Sequence, residues 1–294
     1  MKFGQVPDPT LINFNLPKTN FKTIEVLNSY KDNDSSFEVF VGCAKWNKND
    51  LKGFYPKGVK DELTYYATQF NSIELNATFY QSPSINQVTT WKQKVPNTFK
   101  FFPKIPQSIS HYSRLLQVEE KVKAFTDSVA AFDTNLGMCF LQLHDNYKPK
   151  DVNRLEAFLY DFPSSIPLAV EVRNSEWFSD ESIFAEYCNL LQKYNATNII
   201  VDTAGRRDML HMRLTNDTAF VRFVGANVAS DYDRLDQWMD HLVLWREAGL
   251  QKLYFFIHQN VEVESPLLAS HFIKQVNTVF GLKLPFPEKQ LTLF

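Results

Sequence analysis

Hydrophobic and polar positions alternate along this chain in two rhythms. Short apolar runs with a period of two fall at 38–44, 72–76, 99–104, 137–143, 167–173, 197–203, 219–225 and 252–258, and each reads as a strand. Between most of them the apolar residues recur every three to four positions. Asp61–Phe70, Ser84–Lys94, Glu119–Phe132, Val152–Tyr160, Asp180–Tyr194, Asp233–Glu247 and Ser265–Phe280 therefore read as helices, the first with a cap at its start. The 204–218 connection is too short to predict a helix. Strands alternating with helices imply parallel pairing through right-handed crossovers. Eight such units in ~250 residues predict an α/β fold of the (β/α)8, TIM-like barrel class. An open doubly wound sheet is the alternative. Against it, Gly42-Cys-Ala-Lys-Trp46 after the first strand lacks the spacing of a dinucleotide fingerprint, and no P-loop is present.

The barrel is expected over 37–284 as a single domain. Residues 1–36 are polar, with Pro7, Pro9, Pro17 and the run Lys31-Asp-Asn-Asp-Ser-Ser36, and read as an arm on the outside, partly irregular. A tail follows at 285–294. The 294 residues are 44% hydrophobic and 15% aromatic, which excludes a disordered chain. A formal charge of −2 removes any global attraction to nucleic acid or membrane, so such contact would need a local patch. Cys43, Cys139 and Cys188 form no CxxC pair, which favours a reduced, cytoplasmic protein. No apolar run reaches membrane-spanning length and the opening residues lack a signal-peptide core, so no membrane partner is expected.

Candidate chemistry begins at Asn71-Ser-Ile-Glu-Leu-Asn-Ala-Thr-Phe-Tyr80, where a carboxylate interrupts an apolar strand. Such a group is costly to bury without a partner. Barrel strands send alternate side chains inward, and sites form at their C-terminal ends. That parity gathers Glu74 and Asn76, Lys104, Gln142 and His144, Glu171 and Arg173, Asp202, Arg222 and His258 at one rim, with Trp46 closing the first strand. The expected neighbours of Glu74 are Arg173, Lys104 and Asn76.

Several readings stay open. Three acids (Glu74, Glu171, Asp202) against three bases (Lys104, Arg173, Arg222) can form a self-satisfied ion-pair lattice, although buried pairs often stabilise no better than apolar isosteres. Concentration at one rim favours a ligand site instead. Glu74 and Glu171, with Asp202 beside them, form a candidate acid/base set of the kind used in sugar-bond hydrolysis. The three bases favour a small anionic ligand such as phosphate or carboxylate. A divalent metal on Glu74, Glu171, Asp202, His144 and His258 is the weaker expectation, since the bases oppose a cation, and no nucleotide or cysteine motif implies another cofactor. Trp46, Phe79, Tyr80 and Trp177 are candidate stacking groups for a sugar or base face. His111, Arg114, Arg206 and Arg207 are candidate anion contacts in the loops after the third and sixth strands.

These residues resemble the YecE-like family, a domain of unknown function, over roughly 39–280. The marks are Gly42…Trp46…Gly53-Phe-Tyr-Pro56-x-Gly58, Phe70-Asn-Ser-Ile-Glu-Leu-Asn-Ala-Thr-Phe-Tyr80, Phe101-x-x-Lys104-x-Pro106 with His111 and Arg114-Leu115, Phe140-Leu-Gln-Leu143, Ala169-Val-Glu-Val-Arg173 with Trp177-Phe178, Asp202-Thr203 and Val221-Arg-Phe-Val-Gly225. Lys45 stands where a glycine is common, Leu51 where a second tryptophan is common, and His258-Gln-Asn260 replaces an Asn-Asn-Asp-like ending. The resemblance implies a TIM-like barrel and brings no settled activity with it.

The tail ends Pro285-Phe-Pro-Glu-Lys-Gln290-Leu-Thr-Leu-Phe294. Its last five residues resemble the bacterial sliding-clamp-binding peptide. Leu291, Leu293 and Phe294 would fill apolar pockets on the clamp, and Gln290 would set the register. The alternative is a tail folded back on the barrel. Three function classes follow: a clamp-tethered, hydrolase-like enzyme in DNA replication or repair that meets nucleic acid only indirectly; a metabolic enzyme on a small sugar or phosphorylated acid; and a non-catalytic adaptor barrel.

Overall fold

The computed structural model describes residues 4–31 and 36–288. Its eight strands are β1 (Glu38–Cys43), β2 (Ser72–Leu75), β3 (Lys100–Pro103), β4 (Cys139–Gln142), β5 (Leu168–Glu171), β6 (Thr197–Thr203), β7 (Thr218–Gly225) and β8 (Lys252–Gln259). They run in the order β3-β2-β1-β8-β7-β6-β5-β4, with every pairing between them parallel. The first strand pairs with the last from Glu38 opposite Lys252 to Cys43 opposite Ile257. A narrower seam joins β3 to β4, where Gly137 N donates to Phe101 O and Ile105 N to Phe140 O, both at 2.8 Å. The sheet is thus a nearly closed TIM-like barrel, as the strand count predicts.

The helices are α1 (Phe21–Asn28), α2 (Glu62–Gln69), α3 (Ala77–Tyr80), α4 (Ile85–Lys92), α5 (Glu119–Val129), α6 (Val152–Asp161), α7 (Glu181–Lys193), α8 (Ser230–Ala248) and α9 (Ser265–Phe280). Polar caps fix where several begin. Asp61 accepts from Thr64 N at 2.9 Å, Ser84 from Gln87 N at 3.2 Å and Asp180 from Ser182 N at 2.7 Å, each satisfying a backbone donor that the first turn leaves open. Inside the barrel, Phe102, Met138, Phe140, Ala169, Ile199, Val201, Phe220, Tyr254 and Phe256 pack as one apolar plug. A larger apolar shell lies between strands and helices. The polar groups are left to the C-terminal rim.

The connection from β6 to β7 holds a 3-10 turn at Ala204–Met209 and no α-helix. Helix α1, which the polar arm did not predict, covers this gap. Its Thr23 hydroxyl donates to Met212 O at 2.7 Å and accepts from Leu214 N at 3.0 Å. The rest of the arm runs along α8. Leu16 N donates to Gln237 Oε1 at 3.1 Å, and Thr19 Oγ1 meets His241 Nδ1 at 2.8 Å and accepts from Trp245 Nε1 at 3.0 Å. At the rim, Gly4 O accepts from Gly205 N at 2.9 Å. A Cβ on Gly4 would lie 2.0 Å from Thr203 Oγ1, and its φ of +82° is itself unfavourable for other residues. The arm is a strap whose first described residues reach the barrel mouth.

All three cysteines are free and buried. Among the described residues no helix is long and apolar enough to cross a membrane. Leu282, Leu284 and Phe286 pack on the outer core. The candidate clamp-binding residues Gln290, Leu291, Leu293 and Phe294 lie outside the described residues.

Candidate functional site

A cavity of about 440 Å³ opens at the C-terminal ends of the strands. Ala44 and Lys45 follow β1, Asn76, Phe79 and Tyr80 follow β2, Lys104 follows β3 and Arg173 follows β5. Arg222 and Val224 come from β7, and His258 to Asn260 from the end of β8, with Gln5 and Glu262 completing the wall. An adjoining hollow of about 340 Å³ shares Ala44, Lys45, Asn76 and Tyr80 and adds Trp46, Asp50 and Glu74.

Beneath the cavity the charges form one connected network. Arg222 grips Glu74 with two bonds, Nε to Oε2 at 2.9 Å and Nη2 to Oε1 at 2.8 Å. Its Nη1 donates to Glu171 Oε2 at 2.5 Å, while Arg173 Nε donates to the other oxygen of Glu171 at 2.5 Å. Gln142 Nε2 donates to Glu171 Oε1 at 3.1 Å and its Oε1 accepts from Lys104 Nζ at 2.8 Å. Glu74 also accepts from Asn76 Nδ2 at 2.7 Å and meets His258 Nε2 at 3.0 Å. The partners of Glu74 are therefore Arg222 and His258, together with Asn76, in place of the expected Arg173 and Lys104. Glu74 and Glu171 are 0% and 1% exposed, so the carboxylates sit below the bases that face the cavity.

Burial opposes ionisation of both acids, but the neighbouring charges outweigh it. Arg222 and His258 hold Glu74 well below the usual carboxylate range, and Arg173 and Arg222 bring Glu171 to about 2. Both carboxyls are thus held toward the charged form, which suits a base or a positioning group better than an acid. Lys104 behaves oppositely. Burial, then the charges of Arg222 and Arg173, lower its ammonium to about 7. Its Nζ makes no ion pair among the described residues and sits 4.1 Å from the centre of the Phe79 ring. His111 is lowered to about 4 by burial and by the nearby His144 and Lys104.

Those two histidines stand beside the cavity. The ring of His111 packs edge-on against His144 at 5.0 Å and against Phe79 at 4.9 Å. His111 belongs to a π-helical turn, Ser108–Tyr112, a form found often at functional sites. Arg114, Leu115 and Gln117 just beyond it all have positive φ. For non-glycine residues this stores strain that the surrounding packing has to hold. Among the described residues no group of three or more His, Cys, Asp or Glu side chains is placed to hold a metal ion.

The structure thus brings together Glu74, Asn76, Tyr80, Lys104, Gln142, Glu171, Arg173, Arg222 and His258, with His111, His144 and Trp46 alongside. Five expected members lie elsewhere. Asp202 points outward, where it accepts from Trp238 Nε1 at 2.9 Å and pairs with Arg207 and Arg234. The inward positions of β6 are Ile199 and Val201. Parallel strands are apolar on both faces, so hydrophobic pattern alone could not fix this strand's phase. Trp177 is 1% exposed, donates to Tyr147 O at 2.8 Å and packs on Tyr187, so no ligand can stack on it. Arg114 is exposed and does not line the cavity. Arg206 and Arg207 are engaged by Asp208 and Asp202. Gln5, Lys45, Gln259, Asn260 and Glu262 were not expected in the wall. Strand parity extended past Gln259 gives Asn260 as a near neighbour of the rim, but nothing local points to Gln5.

Comparison with known proteins agrees with the barrel. UPF0759 protein YecE of Escherichia coli strain K12 is 25% identical over 252 residues, covering 78% of this chain and 89% of that protein. UPF0759 protein YunF of Bacillus subtilis strain 168 is 27% identical over 151 residues, 48% of this chain and 52% of that one. Among solved structures, a DUF72 family protein from Thermotoga maritima MSB8 superposes with a TM-score of 0.68 at 25% identity, covering 82% of this chain and 99% of its own. One from Enterococcus faecalis V583 gives 0.67 at 17% identity, over 84% and 99%. The model of the family described as protein of unknown function DUF72 matches residues 40–291, and the chain belongs to that family.

Proposed function

We propose that the barrel mouth binds a small anionic ligand, and that Lys104, Arg173 and Arg222 present the positive charge that recognises it. One observation carries this reading: Lys104, Arg173 and Arg222 line the cavity with Glu262 as the acid in the same wall, while Glu171 lies behind them and Glu74 lines the adjoining hollow. The carboxylates then act as positioning groups. They fix the planes of two guanidinium groups in advance, so less side-chain freedom is lost on binding. Lys104, lowered to about 7, adds positive charge in its protonated form and has no carboxylate partner of its own. Asn76, Tyr80, Gln259 and Asn260 supply neutral groups suited to hydroxyls of a sugar-like ligand.

Titration calorimetry with inorganic phosphate, small carboxylates and sugar phosphates tests the proposal. Binding to the wild type that is lost in Arg173→Gln supports it. No heat from any of these anions with the folded wild type rejects it.

The tail carries an independent proposal. Gln290-Leu-Thr-Leu-Phe294 would tether the barrel to the bacterial sliding clamp by docking its apolar anchors. Deleting 290–294 should then abolish clamp binding in a surface-immobilised assay. Equal signal with and without those residues sinks the tether.

A further inference from the structure

We propose that Lys104 forms a covalent imine with an aldehyde or ketone that also bears a carboxylate or phosphate. The inference rests on the anion-site reading above and deepens it by naming the reacting group. The geometry supports it in three ways. First, Lys104 lines the cavity although it is 7% exposed, and its Nζ lies 4.1 Å from the centre of the Phe79 ring, which lines the same cavity. Second, its amine is held by a neutral partner, Gln142 Oε1 at 2.8 Å, and not by a carboxylate that would keep it charged. Third, the cationic side chains of Arg222 and Arg173 share the cavity wall with it.

The charged groups facing Lys104 are therefore Arg222 from β7, Arg173 after β5, and Glu171 and Glu74 beneath them. Burial and the two arginines favour the uncharged amine, and they outweigh Glu171 and Glu74, which favour the ammonium. The Phe79 ring favours the ammonium, but it also fixes the direction of the side chain. A lysine made nucleophilic by desolvation and cationic neighbours is a known route to carbonyl chemistry.

The step balances without a redox partner. The amine lone pair forms the N–C bond, the carbonyl π pair moves to oxygen, and that oxygen takes one of the two protons that the nitrogen gives up. The carbinolamine's hydroxyl then leaves as water with a proton, the nitrogen lone pair forms C=N, and loss of the second N–H proton balances the one carried off in the water. His258, on the same wall with Glu74 behind it, is placed to exchange protons with the cavity. The anionic end of the ligand would lie against Arg173 and Arg222, which leaves the carbonyl toward Lys104.

The test is reductive trapping. Wild-type protein is incubated with pyruvate or dihydroxyacetone phosphate and sodium borohydride, which delivers hydride to an imine carbon and makes the link permanent. Peptide mass spectrometry then locates the adduct. The expected result is an adduct on Lys104 ahead of the exposed lysines. It disappears in Lys104→Arg, which keeps a positive charge and cannot form the imine. Adducts confined to exposed lysines, or none with either probe, overturn the proposal. Phosphate binding, measured in parallel by calorimetry, separates the two readings. Phosphate that binds without any Lys104 adduct leaves the anion site and rejects the imine. A Lys104 adduct that excess phosphate does not suppress keeps the imine and rejects the anion site.

Discussion

Arg222 reaches Glu74 from across the barrel, its Nε 2.9 Å from Oε2 and its Nη2 2.8 Å from Oε1, although β1 and β8 separate their strands. A two-pronged pair of this kind fixes both side chains in a plane. It also makes each dependent on the other, because a buried charge left alone keeps its full desolvation cost.

Truncating one partner should therefore be expensive. Arg222→Met leaves Glu74 and Glu171 buried without their shared cation, and unfolding stability should fall by about 3–5 kcal/mol. Arg222→Lys should recover little of this, since an ammonium cannot span both carboxylates in the same plane. Urea denaturation of the variants measures both effects.

Acid should weaken the same network. Glu171 titrates near 2 in the folded protein against an ordinary value of 4.5, with Arg173 and Arg222 as the cause once burial is overcome. A lowered folded value means the unfolded chain binds protons first. The stabilisation is complete above about 4.5 and is lost as pH falls toward about 2, a swing of order 3 kcal/mol. Unfolding midpoints measured down that range should drop, and Glu171→Gln, though less stable overall, should show a shallower decline.

The arm should contribute to the stability of the barrel itself. Thr23→Val removes the hydroxyl that bridges Met212 O and Leu214 N while keeping the side chain's shape. Leu214 N loses its partner, at about 1–3 kcal/mol before relaxation, while Met212 O keeps the bond from Asn20 N at 3.2 Å. Hydrogen exchange should rise at Leu214 before it rises in β1 or β8. Uniform exchange across all three would show that the strap is not a separable unit.

Asp202 should matter for folding and not for the ligand. Asp202→Asn weakens its bonds to Arg207, Arg234 and Trp238 on the outer face of β6. Thermal stability should fall, while phosphate affinity, measured below the new melting point, stays at the wild-type value. A matching loss of affinity would return this residue to the site.

Much of this molecule is legible in the chain itself. Periodicity determined the eight strands, and α9 spans Ser265–Phe280 as its pattern predicts, because burial on one face constrains composition residue by residue. Parity also placed Glu74, Lys104, Glu171, Arg222 and His258 at one rim, since a polar residue within an apolar strand stands out. Tertiary structure alone decided the rest. The phase of β6 follows from how Ile199 and Val201 fill the barrel, which a strand apolar on both faces does not reveal. Who pairs with whom depends on reach across the ring, so Glu74 found Arg222 and left Lys104 to Gln142. Helix α1 and Gln5 are placed by contacts with residues some 190 or more positions away, through Thr23 with Leu214 and Gly4 with Thr203, and no local pattern encodes so distant a partner.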